Sequence, residues 1–122
     1  MHRSNGMNVY HIWTRLKPGV DDMEFVDAVD DYLGALEDTG KLESYRVMRR
    51  KLGLGFEGLL DFHIMVEFRD MQQFDETFGT VAARTEPIES LHFAVNSKVA
   101  EVKFALYRDF PDETRQVGQE RF

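Results

Sequence analysis

Two histidines, a tryptophan and several charged side chains alternate with apolar residues in two short runs, and these are the side chains best equipped for chemistry. In residues 8–16, Val9, His11, Trp13 and Arg15 take every second place; in residues 61–68, Asp61, His63, Met65 and Glu67 do the same. Successive side chains of a strand point to opposite faces. Each set therefore shares one face if the runs are strands. The intervening residues, Tyr10, Ile12, Thr14 and Leu16 with Phe62, Ile64, Val66 and Phe68, make an oily face that explains itself as core. The other face is too apolar for plain solvent surface and too polar for plain core. It reads as an interface or a ligand cavity.

Three kinds of chemistry fit that mixture. His11 or His63, oriented by Glu67 or Glu101, has the makings of a general base near neutral pH. Two imidazoles and a carboxylate also suit zinc or iron. The same residues equally form a polar network that satisfies itself across a dimer interface. Trp13 and Tyr107 are suited to stacking on a planar ligand or to anchoring a partner, a role in which such residues are enriched. The expectation carries no metal and no cofactor, and leaves catalysis open, with His11, His63 and Glu67 as candidates. Trp13, Arg15, Met65, Glu101 and Tyr107 are the candidate ligand contacts.

The elements that position these residues follow from periodicity. Strand one covers 8–16 and breaks at Lys17-Pro18-Gly19. Val20, Met23, Val26, Val29, Leu33 and Leu36 then recur at spacings of three and four, one stripe of a helix that begins near Val20. Asp21, Asp22 and Glu24 suit its first turn, and Gly40 a left-handed stop. Strands are expected at about 43–52 and 60–69, joined by a loop bearing Gly53, Gly55 and Gly58. That loop, with Phe56, is placed to cover a cavity mouth or reach a partner. A second helix at about 70–84 carries Met71, Phe74, Phe78 and Val81 on one stripe, with Asp70 as N-cap. Residues 85–96 read as irregular, with at most a short helical turn after Pro87; His92 and Asn96 there lie near a cavity rim. The last strand, at about 97–108, puts Ala100, Val102, Phe104 and Leu106 under the helices and Glu101, Lys103, Ala105 and Tyr107 on the mixed face.

This order is β-α-β-β-α-β, the ferredoxin-like α+β arrangement, with two helices on one face of a four-stranded antiparallel sheet. Strand order 4-1-3-2 follows, with strands one and three adjacent and expected to be parallel. The mixed face is left bare in a monomer, an exposed apolar patch of the kind monomers avoid. A homodimer paired through it, enclosing a barrel, is the expected assembly.

Composition narrows the classes. The chain has 122 residues, 43% of them hydrophobic, and ten Phe. That is one domain with a modest core, expected at about 8–110 with flexible ends at 1–7 and 111–122. There is no cysteine, so disulfides, thiolate chemistry and Cys-based metal sites are excluded. A net charge of −7 disfavours nucleic acid and anionic membranes. Arg46 and Arg50 alternate with Arg49 and Lys51, so the basic cluster is split between two faces. Strand three also carries acids where an RNA-recognition sheet needs cations. No apolar run reaches the roughly 18 residues of a membrane span. A cytoplasmic location is the default.

Over about residues 8–110 the chain resembles the dimeric α+β barrel superfamily, and within it the stress-responsive α/β-barrel family. The similar stretches are Leu16-Lys17-Pro18-Gly19-Val20 and Val66-Glu67-Phe68-Arg69-Asp70-Met71, with the long last strand that begins near Ala94-Val95. Met48 to Gly55 and Ala105 to Phe110 resemble the signatures of a narrower bacterial group of unknown function. The superfamily includes cofactor-independent monooxygenases, haem-degrading enzymes and proteins with no known activity. Members often carry His-Pro after the second helix where this chain has Glu86-Pro87, so no binding role is carried over to that segment. The resemblance implies a dimer that binds a small molecule between or within protomers. Its alternatives are monooxygenase-like chemistry on an aromatic or carbonyl compound and a non-enzymatic dimerisation or stress-response domain.

Overall fold

The computed structural model describes residues 6–111. Its elements are β1 (Asn8–Leu16), α1 (Asp22–Asp38), β2 (Ser44–Arg49), β3 (Phe62–Phe68), α2 (Met71–Ala82), α3 (Ile88–Asn96) and β4 (Val99–Arg108). The strands form one sheet in the order β2-β3-β1-β4. All three pairings are antiparallel, with Trp13 opposite His63 and Lys103, and Arg15 opposite Glu101.

The expected strand order is therefore right, but the expected parallel pairing of strands one and three is not. The α1 crossover returns the chain so that β2 runs with β1, and the β2–β3 connection then reverses it. β3 must consequently oppose β1.

Helix α1 starts at Asp22 rather than Val20, because Asp21 caps it by accepting from the Met23 N–H at 2.7 Å. Its buried stripe is Phe25, Ala28, Val29, Leu33 and Leu36, and Met23, expected on that stripe, is 62% exposed. The far end closes as anticipated. Gly40 takes φ of 74°, its N–H donates to Glu37 O, and Lys41 N–H donates to Leu36 O at 2.8 Å. Helix α2 begins at the cap Asp70, whose carboxylate accepts from Gln73 N–H. The buried Gln73 side chain accepts from Arg69 N–H and donates to Gly40 O and Glu43, tying the start of α2 to the end of α1.

Residues Ile88–Asn96, expected to be irregular, form a full helix. It is only nine residues long, with a short apolar stripe of Ile88, Leu91 and Val95, and Pro87 at its start gives no side-chain cap to announce it. The core joins α1 to the oily face of β3: Phe25, Val29, Leu33, Leu36, Leu42, Phe62, Ile64, Val66 and Phe68. Each such side chain contributes roughly 1.5–3 kcal/mol by leaving water.

The helices do not reach over β4. Val102, Phe104 and Leu106, expected beneath them, are 39%, 57% and 46% exposed. The flexible ends expected at 1–7 and 111–122 lie mostly outside the described residues. Met7, which is described, is held by a hydrogen bond from Asp109 N–H to its carbonyl.

Candidate functional site

Two separate arrangements flank β1. On the open face, away from the helices, the strand register gathers the side chains singled out from the sequence. His11 Nδ1 and His63 Nε2 lie 2.8 Å apart, so one imidazole donates to the other. Trp13 stacks on His63 with ring centres 4.7 Å apart and 12° between planes, and lies parallel to His11 at 5.5 Å. Tyr107 meets His11 edge-on at 4.8 Å. Burial pushes both histidines below the usual imidazole value, and the charge of His11 pushes His63 down further.

The carboxylates named beside them are engaged elsewhere. Glu67 accepts from the Ser44 hydroxyl at 3.1 Å, and Glu101 pairs with Arg15 at 3.5 Å. Met65 stands opposite His11 in the register. The histidines are brought together; among the described residues neither is oriented by an acid. Among the described residues no group of three or more His, Asp or Glu is placed to hold a metal, and no helix is long and apolar enough to cross a membrane. The glycine-bearing loop turns back towards this face, where a Cβ on Gly58 would stand 3.8 Å from Lys103 Nζ. It leaves Leu52, Leu54 and Phe56 exposed.

The second arrangement lies between the sheet and the helices. A cavity of about 350 Å³ runs from Leu36, Leu42 and Phe68 to a mouth at Phe78, Val102 and Phe104. None of His11, Trp13, His63, Met65 or Tyr107 lines it; His92 and Asn96, expected near a rim, do. Its mouth is aromatic. Tyr10 stacks on Phe104 at 5.6 Å and meets Phe78 edge-on at 5.3 Å.

The polar groups of the lining are few and mostly idle. Thr14 Oγ1 is buried without a hydrogen-bond partner, and Tyr10, Tyr32, His92 and Asn96 make no side-chain hydrogen bond to another described residue. Thr77, also in the lining, donates to Lys41 O. Tyr32 and His92 are in ring contact at 5.3 Å. Burial, and then the neighbouring Tyr10, push the Tyr32 hydroxyl up to about 12, and burial raises Tyr10 too. Both phenols, protonated at neutral pH even at their ordinary value of about 10, are available as donors.

The fold is that of a ferredoxin-like α+β protein with a cavity under its helices. The chain belongs to DUF6614, a family of unknown function whose profile matches residues 7–122. No curated protein matches the sequence. Solved structures share the fold at low identity. A hydroxynitrile lyase from Passiflora edulis is 13% identical with a TM-score of 0.67, covering 93% of this chain and 100% of its own. A cofactor-independent oxygenase from Streptomyces nogalater is 7% identical with a TM-score of 0.60, covering 95% and 100%. A dimeric ferredoxin-like protein of unknown function from Jannaschia sp. is 10% identical with a TM-score of 0.59, covering 84% and 96%.

Proposed function

We propose that this protein is a homodimer that binds a small molecule in the cavity of each protomer and pairs through the open sheet face. The observation that carries the binding is the cavity itself. Its volume falls in the range of ligand sites, and its walls are apolar with one buried hydroxyl, Thr14 Oγ1, unpaired among the described residues. Such a buried group costs free energy unless a ligand or water meets it.

Support for the pairing comes from the aromatic stack of Trp13, His11, His63 and Tyr107, and from the exposed Leu52, Leu54 and Phe56 of the loop beside it. The similar Jannaschia protein is described as dimeric. In this reading Arg15, Met65, Glu67 and Glu101 serve the interface rather than a ligand. The proposal extends to the cytoplasm, supported by a chain without cysteine, and to a stress-linked role, supported by the motif resemblance.

A second reading, cofactor-independent chemistry on the bound aromatic or carbonyl compound, is favoured by one observation. An imidazole, His92, and a protonated phenol, Tyr32, share the cavity wall in ring contact. The test of the main reading is fluorescence of the neutral naphthalene ketone prodan. Blue-shifted, saturable binding that Val95→Trp abolishes by filling the cavity supports it. Unchanged binding to that variant would place the ligand elsewhere.

A further inference from the structure

The lining has a charge character as distinct as its volume. Among the described residues that line it there is no Asp, Glu, Lys or Arg. Its polar groups are two phenols, two threonine hydroxyls, of which that of Thr77 already donates to Lys41 O, an imidazole and a carboxamide. A carboxylate, phosphate or ammonium placed there meets no Lys, Arg, Asp or Glu among the described lining residues. Burying an unpaired charge in an apolar setting costs far more than a neutral oxygen that finds one hydrogen bond.

The rest of the lining defines what surrounds that oxygen. Tyr10, Phe78 and Phe104 present ring faces and edges at the mouth, with Ile12, Leu33 and Val95 among the aliphatic walls. Aromatic rings prefer offset-stacked or edge-to-face partners, which favours a planar guest over a flexible chain. Tyr32 on α1 and His92 and Asn96 on α3 supply the polar contacts from the helical side.

Resting on the assignment of the cavity as the ligand site, we propose that it selects a neutral aromatic compound bearing a carbonyl or hydroxyl oxygen. It rejects the anionic counterpart of that compound and also discriminates against the hydrocarbon of the same shape. The hydrocarbon is disfavoured because a site with polar groups to satisfy loses them against a guest without oxygen.

Three probes of nearly one shape test this: benzophenone, diphenylmethane and diphenylacetate, titrated near neutral pH while the methyl resonances of Ile12, Val29, Val95 and Val99 are followed. Benzophenone is expected to bind about tenfold or more tighter than either of the others. The double variant Tyr32→Phe, Asn96→Leu is expected to erase its advantage over diphenylmethane while leaving diphenylmethane binding within about twofold. Retained diphenylmethane binding also reports that the variant is folded. Diphenylacetate binding as tightly as benzophenone overturns the neutral selectivity. Equal binding of benzophenone and diphenylmethane to the unaltered protein overturns the oxygen contact. If none of the three moves the cavity methyls, the ligand-site assignment falls, and the selectivity with it.

Discussion

His11 Nδ1 and His63 Nε2 share a hydrogen bond of 2.8 Å across two neighbouring antiparallel strands, against the ring of Trp13. Only one of the two rings can donate there, so the pair needs at least one bare nitrogen. Adding a second proton puts two cations in contact and removes the acceptor.

Acid should therefore weaken the fold through this pair. Both histidines are held below their ordinary value of about 6.5, so between the two values the folded chain binds fewer protons than the unfolded one. The stabilisation is complete above about pH 6.5 and is lost as pH falls below it. Melting temperatures of the protein and of His11→Asn/His63→Asn, compared between about pH 8 and 5, check this. The difference between the two should shrink on acidification. A difference that is constant or grows would refute it.

Trp13→Ala should loosen the proposed dimer. A central aromatic anchor is worth about 2 kcal/mol or more at an interface, about thirtyfold in the dissociation constant. Sedimentation at graded concentration reads that change directly. A wild-type protein that sediments as a monomer would remove the open-face interface altogether.

Gln73→Leu should cost about 2 kcal/mol or more, measured by denaturant unfolding. The amide is buried, and leucine in its place gives up the bonds to Arg69 N–H, Gly40 O and Glu43 that tie α2 to the end of α1. Asp70→Ala, which removes the cap bond to Gln73 N–H and a half-exposed ion pair with Arg69 at 3.9 Å, should cost about 1 kcal/mol. The order of the two effects is the informative part, because it separates a tie between elements from a local helix start.

Much of the architecture was legible because period two and period three-to-four are loud signals. β1 spans 8–16 as read, and the placing of His11, Trp13, His63 and Tyr107 on one face followed from alternation, whereas the register that brings them into contact did not. The β1–β3 direction was misread because periodicity says which face a residue takes but not which way the strand runs. Helix α3 was missed because it spans only nine residues, with a short apolar stripe, and its start lacks a cap. The cavity was hidden for a different reason. Its walls are the same Ile, Leu, Val and Phe that build a core, and apolar patterning cannot tell filled space from empty. One signal was present: Tyr10 and Thr14 on the oily face of β1, and Tyr32 between the apolar positions of α1, put hydroxyls where a plain core needs none.

Thr14 carries the sharpest consequence of that signal. It is 2% exposed, and its hydroxyl has no hydrogen-bond partner among the described residues. Valine has nearly the same shape, so Thr14→Val exchanges a buried, unsatisfied oxygen for a methyl group. The ligand-free protein should gain about 1 kcal/mol, seen as a raised unfolding midpoint in denaturant. Thr14→Ser keeps the oxygen and loses a buried methyl, and should cost about 1 kcal/mol instead. If the hydroxyl serves the ligand, Thr14→Val must also weaken benzophenone binding while sparing diphenylmethane. A residue that costs stability in the empty protein and returns it as affinity marks a functional position. A Thr14→Val protein that is both more stable and equally good at binding would show that the hydroxyl plays no part in recognition.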